Sequence, residues 1–93
     1  MSMSIENINV VSKYAIFPEQ SRAARALLNW SQAELAKKAK VAKQTLADFE
    51  RSARQPYERT LADIRAALER AGIEFIAENG GGAGVRLRKR SKR

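Results

Sequence analysis

Residues 31–51, SQAELAKKAKVAKQTLADFER, constrain the chain more than any other stretch, because they specify two short helices and the turn between them. Ser31 and Glu34 stand at the spacing in which a serine hydroxyl accepts a free amide of the first turn and a glutamate reaches back to the cap. A helix therefore begins near Gln32. Leu35, Ala36 and Ala39 follow at helical spacing. Val41 then stands alone between Lys40 and Ala42, where a turn buries one side chain. A second helix starts near Lys43. At 100° per residue, its Thr45, Leu46 and Phe49 share one side, while Lys43, Gln44, Ala47, Asp48 and Arg51 share the other. One face packs and one face is offered.

The offered face carries an amide, a cation and a carboxylate, the groups that can bond base edges in a DNA major groove. Composition narrows the alternatives. The chain has 93 residues, enough for one small domain, and contains no cysteine and no histidine. Disulfides, thiolate or imidazole metal sites and Ser-His or Cys-His nucleophiles are thereby excluded, and no cofactor is implied. The carboxylates offer no acid–base pair either, since Asp48 and Glu50 lie two apart on a helix and point different ways. An enzyme is not expected.

The formal net charge is +8, but residues 79–93 hold six bases and no acid, leaving 12 bases and 10 acids in the other 78 residues. The charge alone argues for a sticky tail, so the helix pattern carries the functional expectation. The first residues, MSMSIENINVV, have neither a basic lead nor a long apolar run, so no signal peptide or membrane span is expected and a cytoplasmic protein is the default.

Residues 1–17 contain scattered apolar side chains without a clean period and read as an irregular arm or an unordered leader. Pro18 suits the first turn of a helix running to Leu28, with Ala24, Leu27 and Leu28 toward the core and Trp30 plugging the next junction. Thr60 to Asp63 repeats the capping-box spacing, after which Leu61, Ile64, Leu68 and Ala71 define a fourth helix ended by Gly72. Ile73 to Ile76 and Val85 to Arg88 then alternate around a glycine-rich turn, a β-hairpin signal. A lone hairpin is marginal in water, so it must pack on helix four, pair with a second subunit, or both. The division expected is an arm at 1–17, a helical domain at 18–72, a hairpin at 73–88 and a basic tail at 89–93. That tail admits a phosphate-gripping arm, a charged strand end or a patch attracting RNA or lipid.

The run S-Q-x-E-L-A-x-x-x-x-V at Ser31, Gln32, Glu34, Leu35, Ala36 and Val41, continued as T-L-x-x-F-E-R at Thr45, Leu46, Phe49, Glu50 and Arg51, resembles the XRE family of helix-turn-helix regulators, the Cro and lambda-repressor type. The likeness covers residues 21–71. It implies a mainly α fold: a four-helix repressor-like DNA-binding domain, here with a C-terminal β-hairpin. It further implies base contacts from Lys43, Gln44 and Asp48, phosphate contacts from Gln32, Thr45, Lys40, Arg51 and Arg54, and a structural ion pair between Arg25 and Glu50. The lysine run at 37, 38 and 40 is either a source of further phosphate contacts or a solvated face. The partner implied is double-stranded DNA, read by a homodimer that represses by occupying an operator. The alternatives are an antitoxin that binds a toxin partner and autoregulates its operon, and a protein-interaction module on the same fold. Two positions depart from the pattern. Lys40 stands where the family usually has the turn glycine, and Ala42 where it has a capping serine or threonine.

Overall fold

Each of the first two helices is defined by its ends. In the computed structural model, which describes residues 15–89, helix α1 spans Pro18–Leu28 and α2 spans Gln32–Ala39. Pro18 fills the first position of α1, where a missing amide is harmless. The Phe17 amide donates to Gln20 Oε1 at 2.8 Å, and Gln20 Nε2 donates to the Gly84 carbonyl at 2.9 Å. One side chain thus starts the helix and ties it to a strand residue 64 positions further on. At α2 the capping box is closed in both directions: Glu34 N–H to Ser31 Oγ at 3.0 Å, and Ser31 N–H to Glu34 Oε1 at 2.7 Å.

Helix α3, Lys43–Glu50, follows after a turn whose Lys40 is left-handed, with φ 61°. Ala42 is extended and offers no side-chain cap. The turn is therefore held mainly by backbone, with the Val41 amide donating to Ala36 O at 3.0 Å. Helix α4 is Glu58–Arg70. It begins before the Thr60 capping expected from sequence, because the Leu61 amide already bonds Tyr57 O at 3.1 Å. Pro56 is buried and sets the direction of entry, so an extended Tyr57 serves as the cap residue and Thr60 lies inside the first turn.

The core is shared by all four helices and the first strand: Leu35, Leu46, Phe49, Ile64, Leu68 and Ile73 are fully buried. Ala24 belongs to it, but Leu27 is 44% exposed, contrary to its expected core position. Leu27 lies off the line traced along α1 by Gln20, Ala24 and Leu28, and that line faces the other elements.

Strands β1, Ile73–Ile76, and β2, Gly84–Leu87, pair antiparallel with Ile73 opposite Leu87 and Phe75 opposite Val85. This strand starts one residue earlier than expected, although the Arg88 amide still donates to Gly72 O at 2.6 Å. The hairpin is not left standing alone: β2 packs along α1 and β1 along α4. On its apolar face Ile73 is buried and Phe75 and Val85 pack on the core, with the Arg65 guanidinium 4.8 Å from the centre of the Phe75 ring, while Leu87 at the strand end stays exposed. Of the arm, only Ala15, Ile16 and Phe17 are described, and Ile16 is buried. Residues 1–14 and the tail residues 90–93 lie outside the described part.

Candidate nucleic-acid interface

The position of α3 is fixed from behind by one carboxylate. Glu50 is 1% exposed. Arg25 holds it with Nη2 at 2.7 Å from Oε1 and Nε at 3.0 Å from Oε2. Gln32 Nε2 donates to Oε1 at 3.0 Å and the Ser21 hydroxyl to Oε2 at 2.6 Å. Arg22 Nη1 donates to the Glu50 backbone carbonyl, and Arg25 Nη1 to Trp30 O at 3.2 Å. Burial pushes the Glu50 carboxyl up, but the bonds from Arg25, Gln32 and Ser21 together outweigh it and leave it below its ordinary value. The ionised form is the one the fold is built around. α1, α2 and α3 thereby meet at one charge.

Ser21 and Arg22 are members of this cluster that the sequence alone did not place. Ser21 sits four residues before Arg25 on α1, so the two share a helical face, and that spacing is a usable signal. Gln32 was expected at phosphate, and its side chain turns toward Glu50. A glutamine amide carries a second N–H, so the inward bond orients the group and leaves one donor over.

The opposite side of α3 is open. Lys43, Gln44 and Arg51 are exposed, while Ala47 and Asp48 are half-buried between them. Gln44 Nε2 donates to Asp48 Oδ1 at 2.8 Å, and Arg51 Nη2 reaches the same oxygen at 2.8 Å. These two bonds, Gln44 first, hold the Asp48 carboxyl below its ordinary range. Thr45 is half-buried at the edge of the packed side. Lys40, in the turn ahead of α3, and Arg54, in the connection after it, are both exposed. The connection leaves α3 sharply: Ser52 is left-handed with φ 62°, and the amides of Ala53 and Arg54 both donate to Asp48 O, at 2.8 and 3.3 Å. No glycine advertises that bend in the sequence. Of the lysine run, Lys38 is committed elsewhere, its Nζ 5.3 Å from the Trp30 ring centre.

A short helix backed by a buried charge and fronted by amide, cation and carboxylate, entered through a left-handed turn from a capped helix, is the geometry of a helix-turn-helix. The family model described as Helix-turn-helix matches residues 22–74, more than half of the chain. The chain belongs to the XRE-type helix-turn-helix family.

No curated protein matches the chain. Membership makes this a DNA-binding helix-turn-helix regulator with a mainly helical fold and a small C-terminal hairpin. The match begins at Arg22 and ends at Glu74, so it takes in the Arg25–Glu50 lock and the whole of α3. Among the described residues, no helix of this helix-turn-helix protein is long and apolar enough to cross a membrane, and no group of acidic side chains could hold a metal ion.

Proposed function

We propose that the protein is a sequence-specific repressor that occupies an operator as a homodimer, with α3 lying in the major groove. The observation that supports this best is the division of α3. Leu46, Phe49 and Glu50 anchor one side in the core, and Lys43, Gln44, Asp48 and Arg51 form a polar side with no packing partner among the described residues. Gln44 bonds adenine and Lys43 a guanine or a phosphate in this reading, with Asp48 beside them on the same face. Gln32, Thr45, Lys40 and Arg54 surround α3 and take phosphate, positioning the helix without reading sequence.

The dimer no longer draws support from an unpaired hairpin, because the hairpin packs on its own α1 and α4. It draws support instead from the outer apolar residues Leu27 and Leu87, 44% and 48% exposed, and from the need for two short reading helices to reach useful specificity. Two copies of α3 about 34 Å apart would enter successive major grooves of a near-palindrome.

Selection of bound sites from a random DNA pool, run with wild type and Gln44→Ala side by side, tests this. Recovery of a near-palindrome whose preference relaxes at one base in each half with Gln44→Ala is the expected result. Binding that enriches no sequence would refute it.

A further inference from the structure

On the reading face of α3, Asp48 has already committed its Oδ1 to two neighbours before any DNA is present. We propose that Asp48 is a positioning residue that restricts Gln44 to adenine, instead of a group that itself reads a base. The proposal rests on α3 being the reading helix and adds to it a rule of specificity.

A glutamine amide has one carbonyl oxygen and two N–H donors. With all three free, it can pair with adenine, accepting from N6 and donating to N7, or it can turn both hydrogens on guanine, which presents two acceptors at N7 and O6. The two modes compete. In this protein Gln44 Nε2 lies 2.8 Å from Asp48 Oδ1, so one of the two hydrogens is taken. What is left is one donor beside one acceptor, the complement of adenine's major-groove edge. Guanine can then receive only a single bond, and the second of its acceptors goes unmet.

Arg51 makes the arrangement stable. Its Nη2 bonds the same Oδ1 at 2.8 Å, so the carboxylate is held between residues three ahead and four behind on one helix face. With its charge opposed by Arg51, Asp48 can sit on a DNA-facing surface without repelling phosphate as a bare carboxylate would. The same pairing draws Arg51 away from the backbone. Asp48 therefore lowers overall attraction to DNA while raising selectivity.

Two effects of Asp48→Ala follow, and they have opposite signs. Binding to unrelated DNA tightens, and the dependence of log affinity on log salt steepens by up to about 0.9 as Arg51 becomes available to a phosphate. At the same time the base read by Gln44 relaxes from adenine to either purine, a loss of preference of about tenfold if one bidentate contact becomes ambiguous. Asp48→Asn keeps an acceptor at the same place and restores the adenine preference. In a Gln44→Ala background, Asp48→Ala changes base preference no further.

The experiment is site selection and competition binding with the full-length wild type, Asp48→Ala, Asp48→Asn, Gln44→Ala and the double variant, with melting temperatures measured in parallel. Guanine entering at the Gln44-dependent position in Asp48→Ala, at unchanged melting temperature, supports the proposal. An unchanged adenine preference in Asp48→Ala overturns it. Relaxation at a separate position normally occupied by cytosine overturns it too, and makes Asp48 a direct reader. If wild type enriches no site at all, the operator reading itself fails and this inference with it, a result distinct from the other two.

Discussion

Two carboxylates two residues apart on α3 live in opposite surroundings. Glu50 is buried and receives bonds from α1 and α2, whereas Asp48, among the described residues, receives side-chain bonds only from its own helix and Arg51 at its end. Both are held ionised, but for different ends. The long-range bonds to Glu50 fix where α3 sits, so their loss is felt by the fold. The short-range bonds to Asp48 fix how one side chain on α3 is displayed, so their loss is felt by the ligand. A helix this short can serve as a reading head because the two tasks are divided between its sides.

The largest effect should come from removing the cation on the buried side. Arg25→Ala leaves the carboxylate of Glu50, 1% exposed, with Ser21 and Gln32 but without its ion-pair partner. Breaking a buried pair in this way costs about 3–5 kcal/mol, enough to lower the melting midpoint by more than about 10 °C in a domain of this size. Glu50→Gln should cost less, because Arg25 is 19% exposed and can be rehydrated where Glu50 cannot. Asp48→Ala should leave the midpoint where it was. Thermal unfolding of the three variants checks the division directly, and an Asp48→Ala loss comparable to that of Arg25→Ala would break it.

Acid offers a second, smaller probe of the same asymmetry. The Glu50 carboxyl lies below its ordinary value in the folded protein, so the folded state binds its proton less readily than the unfolded chain does. The stability this contributes is complete above the unfolded pKa of about 4.3 and is lost as pH falls through the lower folded value. The gap in stability between wild type and Glu50→Gln, followed by denaturant unfolding, should therefore be constant from pH 7 to 5 and shrink below about pH 4. A gap that widened in acid would mean that burial, and not the three donors, governs this carboxylate.

Much of this was readable from the chain alone, and the misses share a physical origin. Capping signals and helical spacing located α2 and α3, since both are local, and the matching pattern of Arg25 and Glu50 pointed to the pair. Leu27 was misplaced because periodicity gives a stripe but not its centre, which tertiary packing along Gln20 and Ala24 decides. The bond from Gln20 to Gly84 joins residues 64 apart and has no local sign at all. Gln32 could be placed at the right helix end without any indication that it turns inward to Glu50. On the exposed side, Gln44, Asp48 and Arg51 were recognised as three separate contacts. Their spacings of four and three already implied one connected cluster.

The turn before α3 gives the mildest test of whether the two sides of the helix are independent. Ala42 has the extended backbone of a helix cap, with φ −67° and ψ 141°, but no side-chain oxygen to accept a first-turn amide. Ala42→Ser should supply that acceptor to the amide of Gln44 or Thr45 and stabilise the protein by about 1 kcal/mol, raising the midpoint by about 4–8 °C. Since the added bond is to backbone at the start of α3, it strengthens the seating of the helix without touching the Gln44–Asp48–Arg51 cluster. Base preference should accordingly be unchanged while stability rises. Were selectivity to shift along with the melting temperature, the display of Gln44 would depend on how tightly the helix is seated, and the two carboxylates would not be separate devices.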